Sequence, residues 1–170
     1  MPNPCKNNNN TSFFELMNKN TFCDSISKDP PPPSEDISVV NLMGSNINVT
    51  INGGSNQILP LITNFRFGPA FIEGPNLPLT IDIDGEYIFV FSITQTNVPG
   101  PYAAALINNE DFSIYPGTIK HASMAHTRIE FEGRVRLLRG DQPRLALINT
   151  TETNNVEYHV STANLSLALR

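Results

Sequence analysis

Tryptophan is absent from this sequence of 170 residues, cysteine occurs only twice, and charged residues make up only 16% of the chain. That fraction lies well below the roughly 25% of an ordinary soluble domain, and the polarity comes instead from Asn, Thr and Ser. The 11 Lys and Arg form no basic run and the net charge is −5, so nucleic acid is not expected as a partner. No apolar run is long enough for a transmembrane helix, so no membrane partner is expected either.

Both cysteines lie in the first quarter of the chain, at Cys5 and Cys23, where no core is predicted. A disulfide would therefore constrain this segment or join two chains. The residues have two interpretations that stay open: incidental free thiols, or thiols that lock chains together covalently after assembly. The first ten residues also lack the apolar stretch of a secretory signal peptide, so export by the Sec route is not expected.

A change of composition near residue 36 predicts two parts, an N-terminal connector arm (residues 1–36) and a folded head (residues 37–170). The arm ends in a spacer made of Pro30, Pro31, Pro32 and Pro33, which favours stiff polyproline II structure at about 3.1 Å per residue. It also carries a sparse apolar set, comprising Phe13, Phe14, Leu16, Met17 and Phe22. This set is too small to form a core, so we expect it to be buried against another surface as an inter-subunit connector.

The head contains short runs of β-forming residues separated by Gly, Pro and Asn, at the spacing of about 8 to 12 residues that is typical of sandwiches. Residues 46–51 alternate as a half-buried strand, and Asn52-Gly53-Gly54 predicts a hairpin-type reversal after them. Residues 87–94 form the strongest strand. Tyr87, Phe89 and Phe91 share one face and apolar residues also occupy the other, so we expect a central strand covered on both faces.

No ten-residue window shows helical periodicity, so the fold class is all-β with about ten strands. The further predicted strands are residues 58–67 (broken by Pro60), 79–83, 103–107, 112–114, 123–131, 135–138, 144–148, 157–160 and 165–169. The last of these strands is expected to lie inside a sheet.

Three motifs follow one another in the order and spacing of a known family. Gly85-Glu-Tyr87-Ile-Phe89 resembles a Gly-x-Tyr-x-Phe signature, Ala105-Leu-Ile-Asn108 a Leu-x-x-Asn strand end, and Val135-Arg-Leu137-Leu-Arg-Gly140-Asp141 a Leu-x-x-Gly-Asp turn. With the closing strand, these motifs resemble the C1q/TNF-like jelly rolls. The resemblance implies a jelly-roll sandwich that forms a trimer, with Tyr87, Phe89 and Phe91 packed along the trimer axis and in the core.

The composition is also similar to that of the C1q-like heads of bacterial spore-surface proteins, both exosporium glycoproteins and endospore appendage fibre subunits. The fibre subunits combine a jelly-roll head with a Cys-containing N-terminal connector. This resemblance implies the extracellular surface of a bacterial spore as the location, reached without a signal peptide because such proteins are released with the spore. The implied partners are further copies of the chain, as a homotrimer and then a head-to-tail polymer, with a spore-coat anchor protein and a collagen-like tip protein.

No motif typical of an enzyme, a metal site or a cofactor site occurs, so none of these is expected. There is no Gly-x-Ser-x-Gly elbow, and His121 and His126 would point to opposite faces of a strand. The acids Asp82, Asp84 and Glu86 lack the spacing of a calcium loop, which favours a solvated strand end or a charge cluster at the mouth of a trimer. Arg139-Gly140-Asp141 spells an integrin-binding tripeptide, but turn chemistry explains it without a receptor.

The alternating charges of residues 128–136 have two interpretations, ion pairs across strands or subunits and a simple exposed face. For the whole chain the sequence predicts a structural subunit that trimerises through its head and polymerises through its arm into a spore-surface fibre. The alternatives are a trimeric receptor- or carbohydrate-binding head, anchored by its arm to a coat or fibre, and a phage-fibre tip.

Overall fold

The computed structural model describes residues 37–73, 79–97, 100–122, 127–152 and 154–169. These ranges contain eleven strands, which confirms the predicted all-β class. The strands are β1 (Ser38–Ile51), β2 (Asn56–Ile58), β3 (Ile62–Phe67), β4 (Phe71–Ile72), β5 (Thr80–Ile81), β6 (Gly85–Gln95), β7 (Tyr102–Asn108), β8 (Lys120–Ala122), β9 (Arg128–Leu137), β10 (Pro143–Asn149) and β11 (Val156–Leu169). Across the same ranges, no helix is long and apolar enough to cross a membrane. The predicted arm, with both cysteines, the apolar set and the prolines, lies outside the described residues.

The strands form two main antiparallel sheets. One has five strands in the order β3-β1-β11-β6-β9, and the other has four in the order β2-β10-β7-β8. A small third sheet pairs β4 with β5. The closing strand β11 lies between β1 and β6, which confirms the expectation that it is internal. Likewise, β6 lies between β11 and β9, as a central strand should.

The predicted hairpin at residues 52–54 is wrong. Strand β1 pairs with β11 and β3, whereas β2 pairs with β10 in the other sheet. The turn therefore carries the chain from one sheet to the other. Gly54 adopts a φ of 69°, and its N–H donates to the carbonyl oxygen of Thr151 at 2.8 Å. The turn residues were identified correctly, but the partner strand comes from the far end of the sequence and local turn chemistry does not indicate it.

Two pairs of predicted strands are each one long strand. Residues 128–137 run through Gly133 as β9, and β11 spans 14 residues through a bulge near Val160. Gly133 is a packing position here, because a β-carbon at residue 133 would lie 2.8 Å from Cζ of Phe89. The predicted strand 112–114 is reduced to an isolated bridge between Ile107 and Ile114.

Aromatic side chains of β6 fill the centre of the space between the sheets. Tyr87, Phe89 and Phe91 are each 0% exposed. The rings of Phe89 and Phe91 both contact Phe131 edge-to-face, at centroid distances of 5.4 and 5.7 Å. From the opposite sheet, β7 contributes Tyr102 to the same core. The core thus combines side chains of β6 and β9 in one sheet with Tyr102 of β7 in the other.

One buried amide holds the loops at an end of the sandwich together. Asn149 is 0% exposed, and its Nδ2 donates to the carbonyl oxygens of Ile51 at 2.9 Å and Asn154 at 2.7 Å. Its Oδ1 accepts from the N–H and the hydroxyl of Thr151, at 2.9 and 2.7 Å. Every hydrogen-bonding atom of the amide therefore has a partner in the β10–β11 loop or at the end of β1.

Replacing this amide should be costly. Asn149→Ala leaves buried carbonyl and N–H groups without partners, so we expect the free energy of unfolding to fall by about 2 kcal/mol. Urea denaturation monitored by circular dichroism measures the change. Asn154→Ala is the matched control, because only the backbone oxygen of Asn154 takes part in these bonds. Equal stability of the two variants would contradict the clamping role of Asn149.

Candidate subunit interface

The face of the five-stranded sheet that points away from the core carries no charged residue over its centre. Because cross-strand partners share a face, the register places Val39, Ala168 and Ile88 in one row. The next row holds Asn41, Ser166 and Val90. We call this region the uncharged face; it consists of Val39, Asn41, Met43, Ser45, Ile88, Val90, Ser92, Thr94, Asn164, Ser166 and Ala168.

Four polar side chains of the uncharged face form two hydrogen-bonded pairs. Asn41 Nδ2 donates to Oγ of Ser166 at 3.0 Å, and Asn164 Nδ2 donates to Oγ of Ser92 at 3.4 Å. Met43 and Val90 each lie at the end of a row that contains one of these pairs, with 41% and 43% of their surface exposed. Polar groups that already have partners lose less on leaving water, so this face can be covered by a protein surface at little cost.

A charged border flanks the uncharged face along β9. The outward residues of β9 are Arg128, Glu130, Glu132, Arg134 and Arg136. Arg128 pairs with Glu130 along the strand, and Arg134 Nη1 lies 3.7 Å from Oε2 of Glu86 on β6. These side chains are more than half exposed, so each pair contributes roughly 0 to 1 kcal/mol. The alternating charges thus form pairs both within a strand and across strands, at the edge of the sheet.

The structure places the family-motif aromatics on the opposite side of β6. Tyr87, Phe89 and Phe91 all point into the core, and the Tyr87 hydroxyl donates to the carbonyl oxygen of Ile83 at 2.6 Å. A subunit contact made by β6 would instead use Ile88 and Val90. The alternation of residues 87–94 predicts that Ile88 and Val90 lie on a covered face, but it does not by itself predict a subunit contact.

The acids of the β5–β6 connection contact the turn between β9 and β10. Arg139 Nη2 lies 2.9 Å from Oδ1 of Asp82, and the N–H of Arg139 donates to Oδ1 of Asp84 at 2.5 Å. Gly140 has a φ of 96°, and Oδ2 of Asp141 accepts from the N–H of Leu138 at 3.0 Å. The Arg139-Gly140-Asp141 tripeptide is therefore part of a turn that crosses between the sheets, held by these acids.

The histidines with described positions lie in different sheets. His121 lies on β8 and His159 on β11. The Nδ1 atom of His159 lies 2.7 Å from Oδ1 of Asn48. His126 lies outside the described residues. Of the two histidines that the sequence places five residues apart, only His121 therefore has a described position.

A shallow cleft opens where β9 ends. Arg134 and Arg136 line it together with Tyr115 and Leu138. Burial raises the pKa of the Tyr115 hydroxyl well above its usual range, and the carboxylate of Asp141 beside it adds to the shift. The cleft thus combines two exposed cations with a tyrosine that stays protonated at physiological pH.

Comparison with known proteins bears on the fold alone. No family model and no curated protein matches the sequence. Among solved structures, the chain is similar to murine APRIL with a TM-score of 0.54 at 11% identity, over 79% of this chain and 99% of that one. It is similar to the PRD1 vertex protein P5 with a TM-score of 0.53 at 12% identity, over 78% of this chain and 96% of that one. The chain has a TNF-like jelly-roll fold, as the sequence motifs implied.

Proposed function

We propose that this chain is a structural, non-catalytic subunit that forms a homotrimer through the uncharged face of its head. In this proposal residues 1–36 join trimers head to tail into an appendage fibre on the surface of a bacterial spore. The observation that carries the proposal is the uncharged face itself, which presents exposed apolar side chains and internally bonded polar ones. Residues at the centre of protein interfaces are depleted in charge in the same way, while the rim is polar, as β9 is here.

In this proposal polymerisation follows because the arm and the surface that it binds are different parts of the chain. An arm that binds a different surface on the next trimer makes a contact that does not close on itself, and such contacts build filaments. The apolar set of the arm would supply the binding energy, the four prolines would set the distance between heads, and Cys5 and Cys23 would lock the joint. A spore-coat anchor protein and a collagen-like tip protein would occupy the two ends of the fibre.

Electron microscopy of the purified full-length chain tests the fibre. Negative-stain images should show thin fibres with evenly spaced heads, and fragmentation of these fibres by reductant would assign the cysteines to the joint. Discrete particles under all conditions would exclude self-polymerisation.

Substitution at the centre of the uncharged face tests the trimer. Val90→Glu places a carboxylate at the centre of the uncharged face and opposite Glu132, so we expect the particle mass to fall from three chains to one. Light scattering coupled to size-exclusion chromatography measures the mass. Asn155→Glu, which adds the same charge on an exposed loop, should leave the trimer intact. A Val90→Glu variant that stays trimeric would show that the contact lies elsewhere.

The cleft beside Tyr115 favours a second function, a trimeric adhesive head anchored to a coat or fibre by its arm. Arg134 and Arg136 would suit an acidic group on a receptor or carbohydrate. Discrete trimers in the micrographs, which do not polymerise through residues 1–36, would favour this function over the fibre.

A further inference from the structure

The two main sheets have four edge strands, β3, β9, β2 and β8. Three of them have features that hinder pairing with another chain. Strands β2 and β8, the edges of the four-stranded sheet, are only three residues long each. Strand β9 carries alternating charges on its outward side. Short strands and charged side chains are the usual devices that prevent a sheet edge from pairing with another chain.

Strand β3 is less protected than these edges, with one charged residue, Arg66, and a register shift against β1 between Asn41 and Leu42. It has six residues, and among the described residues it pairs only with β1. Ile62, Phe65 and Phe67 are exposed over 75%, 47% and 61% of their surface, and the register with Met43, Asn41 and Val39 places them on the outward side. A strand with unpaired backbone groups and exposed aromatic residues is a template for the addition of another strand.

The only charged residue of β3 lies on the other side of the strand. Arg66 is flanked by Phe65 and Phe67 and pairs with Val40, and its Nη1 donates to the carbonyl oxygen of Phe71 at 3.1 Å. The edge therefore presents the pattern aromatic, cationic, aromatic. An added strand that matches this edge has apolar residues at alternate positions and an acid between them.

The arm contains that complementary sequence. Phe14-Glu15-Leu16 reads apolar, acidic, apolar within the apolar set. In an antiparallel pairing Phe14 faces Phe67, Glu15 faces Arg66 and Leu16 faces Phe65, since cross-strand partners share a face. Both the apolar contacts and the ion pair then form in one register.

We propose that the edge of β3 is the acceptor site for residues 14–16 of the arm of another copy of this chain, which adds to the sheet as a sixth strand. This inference rests on the proposed function, because it assigns the surface at which trimers join.

A peptide-binding experiment on the full-length chain tests the site. The acceptor protein carries Phe14→Asp and Leu16→Asp, which remove the apolar contacts of its own arm whatever the charge at residue 66, and the probe is a fluorescent synthetic peptide of residues 9–20. We expect the peptide to bind this protein and the added substitution Arg66→Glu to weaken binding about tenfold or more. A charge-reversed peptide with Glu15→Arg should regain affinity for the protein that carries Arg66→Glu. The rescue distinguishes pairing at Arg66 from a general loss of fold.

Arg134→Glu in the same background of Phe14→Asp and Leu16→Asp is the matched control, since it reverses an exposed arginine on the protected edge β9. It should leave peptide binding unchanged. Equal binding by the Arg66→Glu and Arg134→Glu proteins, or reversal without rescue, would overturn the assignment of β3. The readout does not require fibres. Fibres in the microscope without peptide binding at β3 would leave the proposed function intact and refute the site, whereas binding without fibres would support the site and refute polymerisation.

Discussion

Between pH 10 and pH 12 we expect the head to lose stability steeply, and its tyrosines to ionise only as it unfolds. The sequence has four tyrosines, and the pKa of each is raised in the folded chain, chiefly by burial. Burial, with Asp84 and Asp82 nearby, raises the pKa of Tyr87 to about 12. In the unfolded chain tyrosine has its ordinary pKa of about 10.

The direction of the effect follows from these values. A raised pKa in the folded state means that the unfolded state releases its protons first, so this stability is complete below pH 10 and is lost as the pH rises through the folded pKa. For Tyr87 alone the loss reaches about 3 kcal/mol, at about 1.4 kcal/mol per pKa unit. The other three tyrosines add to this loss in the same direction, because burial raises the pKa of each of them.

Parallel titrations measure this effect. Near-ultraviolet absorbance reports tyrosinate and circular dichroism reports the fold, and the two transitions should coincide above pH 10. Tyr87→Phe keeps the ring, removes the ionisable hydroxyl and should flatten the dependence of unfolding free energy on pH. Tyrosinate absorbance that rises near pH 10 while the fold stays intact would contradict the burial of these hydroxyls.

Removing one aromatic ring of β6 should have the largest effect of any single substitution in the core. Phe89→Ala leaves a cavity between the rings of Phe91 and Phe131, whose centroids lie 6.0 and 5.4 Å from that of Phe89. Such truncations cost about 3 to 5 kcal/mol. The loss should be visible as a lower urea midpoint with an unchanged slope.

Glu86→Ala on the outward side of the same strand is the control. Its ion pair with Arg134 is exposed, so the expected loss is about 0 to 1 kcal/mol. If the two variants were equally stable, the side-to-side alternation of β6 would be wrong. Together with Val90→Glu, which should change assembly rather than folding, this comparison separates the two sides of one strand.

How much of the fold could be predicted depended on the range of the interactions involved. The alternation of residues 87–94 is local and identified β6 correctly. The full lengths of β1, β9 and β11 could not be predicted, because each strand continues through a local irregularity at which a strand often ends. Asn46 adopts a φ of 53° within β1, Gly133 makes room for the ring of Phe89, and a bulge interrupts the register of β11 near Val160.

The candidate interface was still harder to predict. The uncharged face combines side chains from β1, β6 and β11, which are neighbours only because residues 164–168 lie between residues 39–43 and 88–92. No single segment shows that charge is missing from the assembled surface. The edge position of β3 could not be predicted from its own sequence either. A strand lies at an edge when only one strand pairs with it, and among the described strands β3 pairs only with β1.

The central position of β11 also bears on when the head can form during synthesis. Strand β11 follows both of its neighbours in the sequence, and it separates them in the finished sheet. Pairings of such high contact order form late, and a nascent chain on the ribosome holds β1 and β6 apart from their common partner until β11 has emerged. The uncharged face cannot exist before that moment. In the proposed trimer, subunit association would therefore wait for β11, and until it emerges the edges of β1 and β6 that it will cover leave the incomplete chain open to aggregation.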